Sequence, residues 1–293
     1  MIVLQLTASG AAWGHGPKST IHSSAASLVD SPPFRLAQAL ATLTDADGRG
    51  CAVDGLRDLW PYRKPLGHEE RELLDALGAR FAGRDWRDVL PVGGSGNVDA
   101  LNGGTEGIEP LLTFLYGPTF NVAGLWSGFL GPNTATIPFI VPGSASAMLD
   151  MRLVVEESPD EIIAMIRRHL DERGFADIEI EVYAAFSHSQ TSPSDPAIQA
   201  ALRTLEAWGA PADVWPIQAG GGPWTAVPNA IGVPCLRGGA IGGGSGAAVD
   251  EYLVIESGNG IAGLADAEKF HVDLLFNVAR ALEAGPAAMT NEA

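Results

Sequence analysis

The chain opens on strict alternation. Ile2, Leu4 and Leu6 fall on one side of an extended segment and Val3, Gln5 and Thr7 on the other, which predicts a strand over residues 2–7 closed by a turn at Ser9-Gly10. Ser31-Pro32 then opens a helix. A serine hydroxyl accepts from the free amides of a first turn, and the fixed φ of proline suits the first helical position. Phe34, Leu36, Ala37, Leu40 and Leu43 supply its apolar face, and Asp47-Gly48 stops it. Two further strands are predicted over 120–129 and 145–155. In the second, Ala147, Leu149, Met151, Leu153 and Val155 share one face while Asp150 and Arg152 share the other. Ser158-Pro159-Asp160-Glu161 is a capping box with acids at the positive end of a helix. Ile162, Ile163, Met165, Ile166 and Leu170 follow at helical spacing, and Gly174 ends the run. Ile178, Ile180 and Val182 alternate with Glu179, Glu181 and Tyr183, a strand with one wet face.

Residues 50–117 interrupt this order. They hold an amphipathic helix within 67–83, with Leu73, Leu74, Leu77 and Phe81 on one side, among tryptophans and glycine-rich turns. They read as an inserted, partly irregular subdomain. Without them, residues 1–187 run strand–helix–strand–strand–helix–strand, the split βαβ, ferredoxin-like arrangement: a four-stranded antiparallel sheet with two helices on one side. The polar stretch Ser187 to Asp195 reads as a hinge. Beyond it come a helix from Asp195-Pro196, with Ile198, Ala201, Leu202, Leu205 and Trp208 inward, and short apolar stretches at Val214–Ile217 and Val233–Leu236. A last helix over 264–282 carries Phe270, Leu274, Leu275, Val278 and Leu282. Residues 188–293 are thus an α/β fragment with too few strands for a free-standing doubly wound domain. The expected class is α/β (α+β) in two parts, 1–187 and 188–293.

Composition narrows the function. The formal charge of −17 repels phosphate backbones, so neither nucleic acid nor an anionic membrane is an expected partner. No apolar run approaches a membrane span, and the N-terminus lacks the basic lead of a signal peptide. Cys51 and Cys235 match no metal or redox spacing and read as free thiols of a cytoplasmic protein. None of the six histidines forms a local ligand pair, and neither a phosphate-binding glycine loop nor a nucleophile elbow is present. The densest glycine lies between 220 and 256, in Gly220-Gly221-Gly222 and Gly242-Gly243-Gly244, followed by Asp250-Glu251-Tyr252. Such loops carry sites when backbone must approach a ligand closely, and are otherwise plain turns.

Several of these pieces come in a recognisable order: Ile21-His22-Ser23, Ser31-Pro32-Pro33, Ile137-Pro138, Leu149-Asp150-Met151-Arg152, Gly220-Gly221-Gly222-Pro223 and Asp250-Glu251-Tyr252. Together they resemble the zinc-dependent amidohydrolase and peptidase family of acetylornithine deacetylase, succinyl-diaminopimelate desuccinylase, aminoacylase and the dipeptidases. The resemblance implies a lid, or dimerisation, domain over 1–187 (insertion about 50–117) and the C-terminal portion of the catalytic domain over 188–293. It implies a homodimer formed through the lid, and a family reaction that hydrolyses amides of N-acyl amino acids or small peptides with zinc. The family's metal-binding front portion has no counterpart in these residues, so the chain reads as a partial member, complemented by a separately encoded catalytic portion or shortened in its frame.

The resemblance also assigns positions. His22 matches the lid histidine that stabilises an oxyanion in the partner subunit's site. Arg152 matches an arginine placed to pair with a substrate carboxylate, and Gly220, Gly221 and Gly222 match a loop that holds the carboxylate end. Ala247 stands where the late histidine ligand is expected, and Gly242 where the glycine loop of relatives often holds another histidine. A methyl group offers zinc no lone pair, so no zinc is expected in this chain, whatever the family uses. Each substrate-facing position has a plain alternative: His22 as a surface loop residue, Arg152 paired with Asp150 or a glutamate, the glycines as a turn. The chain is accordingly expected to be inactive alone. The other readings are a non-catalytic dimerisation or carboxylate-binding protein, or an independently evolved hydrolase on this scaffold.

Overall fold

The structure, a computed structural model, describes residues 1–48, 50–59, 66–128, 139–152, 157–210, 212–217, 222–236, 241–244, 250–259 and 261–284. In chain order the principal elements are β1 (Ile2–Ser9), α1 (Pro32–Leu43), α2 (His68–Arg80), α3 (Glu109–Tyr116), β2 (Thr119–Ser127), β3 (Ser144–Arg152), α4 (Pro159–Glu172), β4 (Glu179–Ala185), α5 (Pro196–Ala207), α6 (Ala226–Ile231) and α7 (Leu264–Ala284). They fall into two compact units. The first holds Met1–Lys64, Tyr116–His188 and Ala219–Pro223; the second holds Pro65–Leu115, Ser189–Gln218 and Trp224–Ala293. The segment around α2 and α3 therefore groups with the C-terminal residues.

The first unit is the ferredoxin-like arrangement. Its sheet runs β2-β3-β1-β4 with every neighbouring pair antiparallel. The alternation in β1 is realised residue by residue: Ile2, Leu4, Leu6 and Ala8 are fully buried. Across the ladder Ile2 faces Met151, Leu4 faces Leu149, Leu6 faces Ala147 and Ala8 faces Ala145, so large and small side chains interleave on one surface. A one-residue slip would turn this whole set to solvent, which is what specifies the register. Helices α1 and α4 cover that face through Leu36, Ala39, Leu43, Ile162, Ile166 and Leu170. Each fully buried Leu or Ile contributes about 1.5–3 kcal/mol, so this layer dominates the stability of the unit.

The capping box forms as the sequence implies. The Ser158 hydroxyl accepts from the Glu161 amide, and the Glu161 carboxylate accepts from the Ser158 amide at 2.8 Å. Gly174 then takes φ +78°, a left-handed residue at the helix end. In α1 the buried set is Pro32, Leu36, Ala39 and Leu43, with Leu40 partly buried, and the expected Phe34 is 73% exposed. Phe34 is two residues from both Pro32 and Leu36, about 200° around the helix, and so lies opposite the core stripe. The predicted residues Phe129, Leu153 and Val155 lie outside the described residues.

In the second unit, α2 buries Leu74 and Leu77, and Trp86 is buried against Phe81. Trp215 meets Phe81 and Phe114. The polar stretch after β4 is tied to the start of α2, where Ser192 donates to Glu69 and Gln190 donates to Glu70. Helices α5 and α7 pack through Leu205, Trp208, Phe270 and Leu274. Two polar ties flank that contact, Trp208 Nε1 to Asp273 at 2.9 Å and Asn277 Nδ2 to the Thr204 hydroxyl at 2.9 Å.

Two sequence expectations change in this unit. On α7 the inward residues are Ala267, Phe270 and Ala281, whereas Leu275 is 71% exposed and Leu282 61% exposed. The stretches at Val214–Ile217 and Val233–Leu236 are irregular, and residues 226–231 form α6. A strand needs a ladder partner for its amides and carbonyls, whereas here the Cys235 amide donates to the Thr191 hydroxyl at 2.9 Å and Pro216 O accepts from the Gln190 side chain at 3.1 Å. Among the described residues a short ladder pairs Gly243–Gly244 with Tyr252–Leu253, and an isolated bridge joins Gly258 and Ile261.

Candidate functional site

His22 sits on a two-residue ladder, opposite Ile140, just beyond the start of β3. It is exposed and caps the 3-10 turn Ser23–Ala25. Its Nδ1 accepts from the Ser24 backbone amide at 3.1 Å and lies 2.9 Å from the Ser24 hydroxyl. The ring stacks on Phe139, with centroids 6.4 Å apart and planes 26° apart. An amide can only donate, so Nδ1 carries the lone pair and the neutral ring holds its proton on Nε2. Sequence reasoning found His22 but neither Ser24 nor Phe139, because a cap two residues away and a stack across a ladder are set by backbone path.

Arg152 ends β3 at the far side of the sheet. Its Nε donates to Asp150 Oδ1 at 3.0 Å and its Nη2 to Asp150 Oδ2 at 3.2 Å. The plain alternative raised from the sequence, a pair with Asp150 two residues back on the same face, is the one realised. From Ser144 to Arg152 the strand advances about 26 Å at 3.3 Å per residue, and His22 lies past the Ser144 end. Within one chain His22 and Arg152 do not reach a single small ligand.

Of the glycine loop, Gly220 and Gly221 lie outside the described residues, as do Ala247 and Ile137-Pro138. Gly222 directly precedes the turn Pro223–Thr225 that leads into α6. The second cluster is packed tightly. A Cβ on Gly242 would come within 2.2 Å of Ile261 Cγ2 and 3.0 Å of Val254 Cγ2. On Gly244 it would meet the Tyr252 ring at 2.7 Å. Gly242 also bonds through its backbone to Ala262 and Val254, at 2.8 Å each. The space beside Gly242 is therefore filled by branched side chains, and a histidine has no room there on this backbone. Neither Gly242 nor Ala247 offers a zinc donor, and among the described residues no three His, Cys, Asp or Glu side chains converge as a metal site. Among the described residues of this loop, no set of side chains fits a zinc ion.

One titratable cluster escaped sequence reasoning. His169 on α4 is buried; its Nδ1 accepts from the Asp54 amide at 3.2 Å and its Nε2 donates to Thr42 O at 2.9 Å. Arg173 pairs with Asp54 at 2.7 Å, and this bond holds the Asp54 carboxyl below its ordinary range. The partners lie more than a hundred positions apart in sequence, so no local signal exposes them.

Residues 9–178, more than half of the chain, match the family described as the peptidase dimerisation domain, M20_dimer. Three solved structures share the fold. The M20 family metallo-carboxypeptidase Sso-CP2 from Sulfolobus solfataricus is 26% identical with a TM-score of 0.63, over 79% of this chain and 48% of that one. The di-peptidase Dug1p from Saccharomyces cerevisiae is 16% identical with a TM-score of 0.63, over 97% of this chain and 55% of that one. Human carnosine dipeptidase 1 is 17% identical with a TM-score of 0.60, over 78% and 46%. The chain thus spans about half the length of these relatives. No curated protein matches it in sequence. No described helix is long and apolar enough to cross a membrane. With the lid topology in place and the match running from the end of β1 to the start of β4, the chain belongs to the M20 peptidase dimerisation-domain family.

Proposed function

We propose that this chain is a partial, degenerate M20 module. In this reading it pairs with a second copy through the lid and presents substrate-facing groups. These residues have no amide-hydrolase activity by themselves and act together with a metal-binding portion. The observation that carries the reading is the loop at Gly242, where the space a ligand side chain would need is filled by Ile261 and Val254, together with alanine at 247. The relevant chemistry is hydrolysis of amides in N-acyl amino acids or small peptides. His22 contributes to it as a hydrogen-bond donor to an oxyanion in the partner subunit's site, and the distance between His22 and Arg152 supports that division between two copies.

Two surfaces support the partners. Strand β2 is at the edge of the sheet and exposes Val122, Leu125 and Trp126, a template for a second chain. On α7, Val272, Leu275, Phe276 and Leu282 stay exposed beside its buried face, an apolar surface suited to a metal-binding catalytic portion. Arg152 is held by Asp150, which argues against a stand-alone carboxylate receptor. The test is metal analysis of the purified, zinc-loaded chain with an assay on N-acyl amino acids and dipeptides. Negligible bound zinc and no hydrolysis are expected; about two zinc ions per chain with hydrolysis overturns the reading. Light scattering tests the dimer, and a monomer at all concentrations removes it.

A further inference from the structure

We infer that Ser24 is a positioning residue that locks neutral His22 in its Nε2–H tautomer, so that the ring offers a donor and takes an oxygen acceptor as its ligand: a carbonyl, a carboxylate or a tetrahedral oxyanion. This deepens the reading of His22 given above and rests on it for its functional meaning, though not for its geometry. Two Ser24 groups converge on one ring atom, the amide at 3.1 Å and the hydroxyl at 2.9 Å from Nδ1. The hydroxyl alone leaves the tautomer open, since it donates or accepts. The amide removes that freedom, because a proton on Nδ1 would face another N–H. Ser24 belongs to the 3-10 turn that His22 itself caps, and the Ser23 amide is anchored on Phe139 O at 2.9 Å. Phe139 also stacks on the ring, which limits rotation about χ2. With Nδ1 engaged and one face against Phe139, the remaining polar atom is Nε2, and its proton points away from the bonds that hold the ring. A ring held this way cannot serve as a general base through Nδ1, and the ligand it selects is an acceptor.

The test is ring-nitrogen NMR on histidine-labelled protein, with the His22 signals identified by their loss in His22→Gln. At a pH where the ring is neutral, the native chain is expected to show Nε2–H and a bare Nδ1. Ser24→Gly keeps the amide and is expected to keep the tautomer. Ser24→Pro removes the amide and is expected to lower the Nε2–H to Nδ1–H ratio about fivefold, the equivalent of one hydrogen bond of about 1 kcal/mol. Circular dichroism establishes that each variant is folded. A native His22 protonated on Nδ1 overturns the inference, and this outcome is readable even if Ser24→Pro does not fold. An unchanged ratio in folded Ser24→Pro overturns it too. The zinc and hydrolysis measurements above separate the two levels. A locked tautomer in a chain that binds zinc and hydrolyses amides keeps the positioning role and counts against the functional reading, whereas a mixed tautomer in a zinc-free, inactive chain does the reverse.

Discussion

Replacing His169 with leucine removes a side chain that ties α4 to both the end of α1 and the loop before Gly55. The ring is fully buried, accepts from the Asp54 amide at 3.2 Å and donates to Thr42 O at 2.9 Å. Thr42 O belongs to the last turn of α1, where carbonyls have no partner within the helix. Leucine fills similar space but satisfies neither group. Losing each bond costs about 1 kcal/mol net, and a group left without water costs up to about 3 kcal/mol. Thr42 and Asp54 are half-buried, so water recovers part of this, and the expected loss is about 2–4 kcal/mol. Glutamine keeps a donor at nearly the reach of Nε2 while losing the acceptor at Nδ1, so His169→Gln is expected to lose about half as much. With two compact units a single unfolding free energy is not well defined, so the readout should belong to the first unit. Cys51 is 4% exposed and two residues from Val53 in the same core, and its trapping by a thiol reagent along a urea gradient reports opening there. A His169→Leu midpoint within about 0.5 kcal/mol of the native chain, or glutamine as damaging as leucine, refutes the two-bond account.

Burial pushes the Cys51 thiol up from its ordinary range, so the native chain should titrate one reactive thiol, Cys235, and the denatured chain two; two at native rates would sink the packing of the 51–56 loop. Ser158→Ala should cost about 1 kcal/mol through the lost cap. The Ser158 amide and hydroxyl hold the Glu161 carboxyl below its ordinary range, so the contribution of Glu161 is full above the unfolded carboxylate pKa and fades as pH falls through the lowered folded value. Acid titration of helix content in the native chain and in Glu161→Gln should then converge at low pH, and curves that stay parallel would contradict the assignment. Gly242→Ala should destabilise the second unit by about 1–3 kcal/mol through overpacking, with recovery in Gly242→Ala/Ile261→Ala; equal melting of Gly242→Ala and the native chain would show that the loop has room.

The lid was legible wherever one residue's environment follows from its near neighbours. Alternation in β1 and β3, a proline after a serine cap, and a capping box before a 3.6-residue period each imply a local geometry, and their order implies the sheet. Legibility failed where the partner is distant. Phe34 and Leu275 are apolar and near the right spacing, yet which face of a helix is buried depends on what packs there. The residues between 65 and 115 carried a helix signal that was right in type, while their grouping with the C-terminal residues lay in contacts such as those of Trp215 with Phe81 and Phe114. Of the candidate site residues, His22 and Arg152 were named through the family resemblance, but their places towards opposite ends of β3 came from the register.

By itself the sequence determined the alternating faces, the caps, the antiparallel lid order and the lack of a donor atom at positions 242 and 247, because these depend on residue type and spacing along the chain. Only the tertiary structure decided that Arg152 is occupied by Asp150, that Gly242 is walled in by Ile261 and Val254, that His169 joins Thr42 to Asp54, and that Ser24 sets the His22 ring. Those are contacts of a few ångströms between groups whose separation is fixed by how the backbone folds back on itself, and burial and hydrogen-bond partners follow from that path.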